Sequence, residues 1–166
     1  LMHTVIAVAR SADHEFSKQL LNSIDLIKGE GVDGDCHRGV TVKHRSRVAV
    51  DPTQPNLRQV HLIHAELFDE LSTFGHTVKP GQLGENITTR GIDLLALPRD
   101  TLLMLGKSAV IQLTGLRNPC HQIEDFQTGL LSKVVYKHDD GTLVRKTGVM
   151  AVVLEGGIVS IADEIK

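Results

Sequence analysis

The sequence predicts a mainly β domain, an antiparallel β-barrel with a few peripheral helices, and three observations support this prediction. Short runs rich in Val, Ile and Leu recur along the chain, which is the pattern of strands. Glycines lie in hairpin-sized gaps between some of these runs, where tight turns need positive φ angles. Long helical patterns do not alternate with the runs, so a parallel sheet built from strand–helix–strand units is disfavoured.

The predicted strands are bounded by turn residues. They cover residues 5–8, 48–50, 60–63, 102–105, 109–114, 149–154 and 158–161. The glycine-containing gaps at 106–108 and 156–157 predict hairpins between neighbouring runs, and Asp140-Gly141 predicts a further turn.

One helix is clear from the sequence. Between residues 65 and 74, apolar side chains recur on one face and acidic side chains on the other, and Gly75 is a plausible stop. A second helical stretch is expected over residues 129–136, with a turn over 123–126 before it.

Length and composition favour a single domain covering residues 1–166. Hydrophobic residues make up 41% and charged residues 23%, as in ordinary globular proteins. A net charge of −2 and only 3% aromatics argue against a nucleic-acid partner. No run approaches the roughly 18 apolar residues that a membrane span requires. We therefore expect a cytoplasmic protein without nucleic-acid or membrane partners.

Two cysteines are the first candidates for chemistry. Cys36 and Cys120 form no CxxC pair, so reduced thiols are expected. Cys120 follows Pro119 just beyond a predicted strand, with Arg117 nearby, and a cation favours the thiolate that attacks electrophiles or binds soft metals. The alternative is a buried structural cysteine. Acidic neighbours make Cys36 the less reactive of the two.

The histidines raise the question of a zinc site. Neighbouring Cys and His residues, as in Cys36-His37 and Cys120-His121, do not easily bind one ion in tetrahedral geometry, and the usual zinc spacings are absent. Zinc is therefore disfavoured. His37 is the more interesting histidine because Asp35 could orient its ring; a loop histidine bonded to a backbone carbonyl is the alternative.

Three segments are rich in glycine and polar residues, over 31–47, 80–89 and 114–121. Loops of this kind on a rigid scaffold commonly carry sites. Arg45, Arg47 and Arg117 could bind phosphate, or could be solvated surface arginines. The glycines match neither a P-loop nor a dinucleotide fingerprint.

Taken together, these segments resemble the MOSC family, named after the C-terminal domain of molybdenum-cofactor sulfurase. Residues 31–37 resemble its G-[LVI]-x-GD-x-H element, residues 84–87 its GEN-[ILF] element, and residues 114–120 its T-x-x-R-x-PC element. The order of the elements also agrees, and the match covers most of the chain.

The resemblance implies a barrel-like fold and either binding of molybdenum cofactor, a pterin dithiolene with a phosphate tail, or sulfur transfer. It implies that Cys120 ligates molybdenum or carries a persulfide. The residues implied to contact the pterin or phosphate are Asp35, His37, Arg45, Ser46, Gly84, Glu85, Asn86, Thr114, Arg117 and Asn118. Thiolate is a soft ligand suited to such a metal, and glycine-rich backbone with arginine suits a phosphate.

Three functions stay open. A cofactor-binding oxidoreductase, which could reduce N-hydroxylated compounds, predicts a thiolate facing a deep polar pocket. A sulfur carrier predicts an exposed Cys120 at a docking surface. A non-catalytic domain predicts a filled apolar surround. The sequence shows no pyridoxal-phosphate desulfurase, iron–sulfur or flavin motif, so the first function requires a reductase partner and the second a cysteine desulfurase.

Overall fold

The computed structural model describes residues 3–41 and 53–166. Within these ranges the chain forms twelve strands, three short α-helices and a 3-10 turn at Leu94–Ala96. The strands are β1 (Thr4–Arg10), β2 (Gln19–Leu21), β3 (Ser23–Ile27), β4 (Gly31–Val32), β5 (Val60–His64), β6 (Ile87–Arg90), β7 (Leu102–Leu105), β8 (Ala109–Leu116), β9 (Val135–Lys137), β10 (Leu143–Arg145), β11 (Val149–Glu155) and β12 (Gly157–Ser160). The helices are α1 (Glu66–Ser72), α2 (Gln122–Phe126) and α3 (Leu131–Val134).

The strands pair in three sheets. The largest has the order β2-β1-β6-β5-β11-β8-β7, a second has the order β12-β3-β4, and β9 pairs with β10. A mainly β fold with few helices, as the sequence predicts, is thus confirmed. The predicted strand at residues 48–50 lies outside the described residues.

One pairing differs from the predicted antiparallel arrangement. Strands β5 and β6 run parallel, with Leu62 opposite Ile87. The chain leaves β5, forms α1, and returns to lie beside β5, which is the crossover that a parallel pair requires. The sheet is therefore mixed. Strand β6 has two threonines and an arginine, so its sequence carries little apolar signal.

The C-terminal residues connect the two sides of the large sheet. Val5 donates a backbone hydrogen bond to Asp163, and Met104 exchanges backbone hydrogen bonds with Lys166. Because neighbouring strands lie about 4.8 Å apart, one segment can contact both β1 and β7 only if the sheet curls. No closed barrel is formed by the strand ladders of the described residues, but the curl gives the sheet a barrel-like course.

Two predicted details change. The glycines at 156–157 do not form a hairpin, because β11 pairs with β5 and β8 whereas β12 joins β3 in another sheet. The helix predicted over residues 129–136 is confined to α3, and Val135 already belongs to β9. Two β-branched valines at 134–135 favour this switch to extended backbone.

Two apolar clusters form the core. The larger lies between the curled sheet and the β12-β3-β4 sheet, and the smaller lies beneath the three helices. In α1 the buried face consists of Leu67 and Leu71. In the part of the chain that is described, no helix has the length and apolar character needed to cross a bilayer.

Candidate functional site

A cavity of about 700 Å³ lies where the loops after β1, β4 and β8 meet the strands β5 and β11. This volume is within the range of small-molecule sites, about 300–1,000 Å³. The lining residues are His14, Glu15, Phe16, Lys18, His37, Arg58, His61, Gly84, Asn86, Arg117, Asn118, Pro119, Cys120, His121, Gln122 and Met150. Polar and cationic side chains thus predominate around one thiol.

Cys120 lies in the extended segment between β8 and α2 and is half-buried. Its Sγ is 3.6 Å from Gln122 Oε1, a long contact for a weak thiol donor. The thiol lines the cavity, where it also interacts with the Arg117 guanidinium.

Arg117 is fixed against the cavity wall. Its Nη1 donates to the Leu83 carbonyl at 2.6 Å, and its backbone N–H donates to Gly148 at 3.0 Å. Burial lowers the pKa of Arg117, while the nearby Cys120 and Glu85 favour its charged form. The guanidinium still carries further N–H donors with which it could bind an anion.

Glu85 lies behind the cavity, fully buried and not among the lining residues. Burial raises its pKa, against the opposing effects of backbone N–H groups and Arg117. Its Oε2 accepts a long bond from Thr88 Oγ1 at 3.4 Å, and backbone N–H groups of residues 81–85 also stabilise the carboxylate. Its contact with the site is therefore through Arg117.

Asn86 and Gly84 shape the floor of the cavity. Asn86 Oδ1 accepts from the His61 backbone N–H, and its Nδ2 donates to Ala9, so this amide joins β5 and β1 at the start of β6. Gly84 has a φ of +88°, and a Cβ there would meet the Phe16 carbonyl at 2.7 Å. Only glycine lets these two loops approach so closely.

His61 is a buried neutral histidine in the cavity wall. Its Nε2 lies 2.7 Å from the Thr147 carbonyl, so this nitrogen carries the proton and donates it. Burial and the charge of Arg117 hold the pKa of His61 well below 6.5. Nothing in the sequence around His61 predicts that it lines the cavity.

A buried ion pair supports the loop that carries His37. Lys18 Nζ bonds both carboxylate oxygens of Asp35 at 2.7 and 2.9 Å, and the two side chains are 3% and 0% exposed. Burial alone would raise the pKa of Asp35, but hydrogen bonds from His37 and Lys18, with the Lys18 charge, lower it below its usual value. Asp35 also accepts the backbone N–H groups of Ser11 and His37.

Cys36 lies beside His37 and His14. One ligand atom from each of the three residues lies within 4.8 Å of the others, and Cys36 Sγ is 3.5 Å from His37 Nδ1. The ligand atoms of these residues thus lie close together, although neighbouring Cys and His residues do not easily bind one ion in tetrahedral geometry. Burial and the Asp35 charge raise the pKa of the Cys36 thiol, although the Lys18 charge acts in the opposite direction. A raised pKa is consistent with the low reactivity that the acidic neighbours of Cys36 predict.

The structure brings most predicted site residues together. His37, Gly84, Asn86, Arg117, Asn118 and Cys120 line the cavity, while Asp35 and Glu85 lie behind it. Thr114 instead lines an adjoining cavity of about 220 Å³, which shares Arg58 and Met150 with the larger one. Arg45 and Ser46 lie outside the described residues. Their roles in cofactor binding stay predictions.

Lys18 and Arg58 were missed by the sequence analysis. Lys18 follows a polar stretch and resembles any surface lysine in sequence, and only its buried contact with Asp35 reveals its place.

Asn118 is exposed, and its Oδ1 accepts a hydrogen bond from Arg145 Nη1 at 2.6 Å. This contact joins β10 to the Cys120 segment, and no local pattern in the sequence indicates it.

The fold and site define a small, mainly β domain with one thiol in a polar, cationic cavity. The chain belongs to the MOSC domain family, whose model matches residues 32–166. The YuaD protein from Bacillus subtilis is structurally similar, with a TM-score of 0.77, 22% identity, and coverage of 99% of this chain and 94% of that one. YiiM from Geobacillus stearothermophilus has a TM-score of 0.68 at 14% identity, covering 98% of this chain and 73% of that one.

YiiM from Escherichia coli is also similar, with a TM-score of 0.63 at 17% identity, covering 98% and 68% of the two chains. At these identities the three structures support the fold alone. No curated protein sequence matches the chain significantly.

Proposed function

We propose that this protein binds molybdenum cofactor in the 700 Å³ cavity through Cys120 and acts as an oxidoreductase. The observation that supports this most is a thiol facing a roomy cavity lined by Lys18, Arg58 and Arg117. A filled apolar surround, expected for a cysteine without a binding role, is not what surrounds Cys120.

The donor set suits the group. A half-buried thiol that contacts Gln122 at 3.6 Å and lies beside the Arg117 guanidinium is available as a soft ligand. The Arg117 guanidinium, which uses Nη1 to bond the Leu83 carbonyl and has further N–H donors, suits a phosphate. The cavity volume is adequate for a ligand of this size.

Each residue then has a specific role. Cys120 would ligate molybdenum, Arg117 and Arg58 would bind the anionic part of the group, and His37 and Asn118 would lie along its pterin. Asn86 would act by fixing the floor, since its amide is already bonded to backbone on both sides. When bound, the group supplies the two-electron redox chemistry, and the protein orients it.

A substrate class that fits is an N-hydroxylated amine. Its reduction takes two electrons and two protons, breaks the N–O bond, and yields the amine and water. The electrons would come from a reductase partner, and a proton could come through His37 or His14, which both line the cavity.

Sulfur transfer is the second candidate, and one observation favours it. Cys120 is only half-buried, and the flanking Asn118 and His121 are exposed, so a partner could reach the thiol. In this reaction the Cys120 thiolate attacks the outer sulfur of a persulfide on a cysteine desulfurase. A persulfide then forms on Cys120, and the desulfurase thiolate leaves.

Metal and pterin analysis tests the first proposal. The full chain is produced in a host that makes molybdenum cofactor, and molybdenum and pterin are measured per chain. We expect about one of each in the wild type, and at least about a tenfold loss of molybdenum in Cys120→Ser, since the metal loses its thiolate. Cys36→Ser is the matched control and should retain molybdenum.

Circular dichroism and thermal unfolding establish that both variants fold. Wild-type protein that is folded but contains neither molybdenum nor pterin would contradict cofactor binding. A mass increase of one sulfur on Cys120 after incubation with a desulfurase and cysteine, absent in Cys120→Ser, would then favour sulfur transfer.

A further inference from the structure

We propose that His14, Cys36 and His37 form a zinc-binding site at one side of the cavity, separate from Cys120. The inference goes beyond the proposed function, because it assigns a second metal to residues that do not ligate molybdenum, although His14 and His37 also line the cofactor cavity. It starts from the convergence of three ligand atoms, two imidazole nitrogens and one sulfur, within 4.8 Å of one another.

The spacing fits tetrahedral coordination. Zinc–sulfur bonds of about 2.3 Å and zinc–nitrogen bonds of about 2.0–2.1 Å place sulfur and nitrogen about 3.5 Å apart. Cys36 Sγ and His37 Nδ1 are 3.5 Å apart. The third ligand, His14, is exposed, and its ring lies edge-on to that of His37 with centroids 5.7 Å apart. Binding therefore needs only a small inward movement of His14.

The backbone holds the two ligand-bearing loops together. The Cys36 N–H donates to the Ser11 carbonyl at 2.7 Å, and the Ser11 N–H donates to Asp35 at 3.0 Å. Asn56 Nδ2 donates to the His37 carbonyl at 2.8 Å. These bonds join the loop after β1, which carries His14, to the loop after β4, so the ligands meet without an ion.

A buried ion pair of Lys18 and Asp35 lies behind the His37 ligand. Lys18 Nζ lies 3.4 Å from His37 Nδ1, and an ammonium group can only donate, so a hydrogen bond between them requires the tautomer in which Nδ1 carries the lone pair. A zinc ion on Nδ1 would displace Lys18 from this nitrogen, while Lys18 keeps both bonds to Asp35. The Asp35 carboxylate balances the Lys18 charge and fixes the backbone of His37, as outer-shell carboxylates do at metal sites.

Two imidazoles and one thiolate leave a fourth position for water or for a ligand from the cavity. This is the composition of open zinc sites, which have three protein ligands, rather than of closed structural sites with four. Both His14 and His37 line the cavity, so the open position would face the same space as Cys120.

Titration with cobalt(II) and zinc tests the proposal. The purified full chain is treated with a chelator, exchanged into chelator-free buffer, and titrated with cobalt(II), whose thiolate complexes absorb in the near ultraviolet. We expect one cobalt per chain with a sulfur-to-cobalt absorption that zinc removes. Cys36→Ser should abolish this absorption, and Cys120→Ser should retain it.

His14→Gln provides a second variant that keeps the fold, because His14 is exposed. It should raise the zinc Kd at least about tenfold, given that even outer-shell partners are worth about 10- to 100-fold. The proposal is overturned if wild type binds no cobalt or zinc, or if the absorption survives in Cys36→Ser. Loss in Cys120→Ser alone would assign the ion to the other thiol. Molybdenum content is measured separately, so failure of either proposal leaves the other intact.

Discussion

At the scale of single residues, buried charges determine how the cavity wall is held. Lys18 and Asp35 neutralise each other with almost no exposure to water, and His61 is buried in its neutral form. Breaking such a pair on one side leaves an uncompensated charge, which costs more than the pair itself contributes. The stability of the loop carrying His37 should therefore depend on these few groups.

Asp35→Asn should destabilise the protein strongly. It leaves the Lys18 ammonium buried without its counter-charge, and we expect the free energy of unfolding at pH 7 to fall by about 3–5 kcal/mol. Urea denaturation measures the change. Lys18→Met combined with Asp35→Asn should recover much of it, since no charge stays buried and Asn keeps an acceptor for the Ser11 and His37 backbone N–H groups. The exposed Asp25→Asn is the control, expected within about 0.5 kcal/mol of wild type.

The same carboxylate predicts an acid limit. The folded protein lowers the pKa of Asp35, so its stabilisation is complete above the unfolded-state pKa of 3.8 and is lost as the pH falls below that value. Urea midpoints measured between pH 5 and pH 2.5 should fall more steeply in wild type than in Asp35→Asn. Equal slopes would show that the ion pair does not govern this limit.

His61 predicts a second loss of stability at milder pH. Its folded pKa lies well below 6.5, so the unfolded chain binds a proton that the folded protein does not. Below about pH 6.5 the free energy of unfolding should fall by up to about 1.4 kcal/mol per pH unit. His61→Gln keeps a donor for Thr147 and should reduce the slope between pH 7 and pH 5. The exposed His138→Gln should leave it unchanged.

At the scale of elements, apolar patterning predicts central strands better than peripheral ones. The run at residues 60–63 gives most of β5, and the run at 109–114 gives most of β8, because buried strands need apolar residues for the core. Strands β2, β9 and β10 are three residues long and contain no fully buried residue, so they carry no comparable signal.

Pairing is less predictable than the strands themselves. The gap at 106–108 does form a hairpin between β7 and β8, whereas the similar gap at 156–157 sends the chain into another sheet. The difference arises from contacts distant in sequence, such as that between β12 and β3. For the same reason, the sequence reveals the motif residues around Cys120, which are neighbours in the chain. It does not reveal the contribution of Lys18, which depends on its contact with Asp35 elsewhere in the chain.

Gly148→Ala tests how one turn supports the site. Gly148 precedes β11 at a φ of +83°, and a Cβ there would overlap the Leu62 carbonyl of β5, while its own carbonyl accepts from Arg117. We expect a loss of about 3 kcal/mol or more, from strained backbone and overpacking. Gly141→Ala, at a φ of +87° with open space around it, should lose only about 1 kcal/mol. Equal losses in urea denaturation would contradict the steric argument.

At the scale of the whole molecule, the cavity depends on the curl of the large sheet. Strands β1, β5, β6, β8 and β11 contribute their ends or following loops to one region, although they are far apart in sequence. The C-terminal residues stabilise this curl by bonding to both β1 and β7. The site is thus supported by contacts on the far side of the sheet as well as by its own loops.

Ile165→Ala should weaken that closure. The Ile165 side chain is 2% exposed and packs into the larger apolar cluster. Its backbone forms a β-bridge with Leu105 of β7 and donates an N–H hydrogen bond to the His3 carbonyl. Truncation leaves a cavity where β1 and β7 are joined, and we expect the free energy of unfolding to fall by about 2–4 kcal/mol. Ile158→Ala, on a side chain 62% exposed, should stay within about 0.5 kcal/mol of wild type. The C-terminal residues join β1 to β7, so hydrogen exchange in Ile165→Ala should rise in these two strands before it rises in β11. A uniform rise across the sheet would contradict this order.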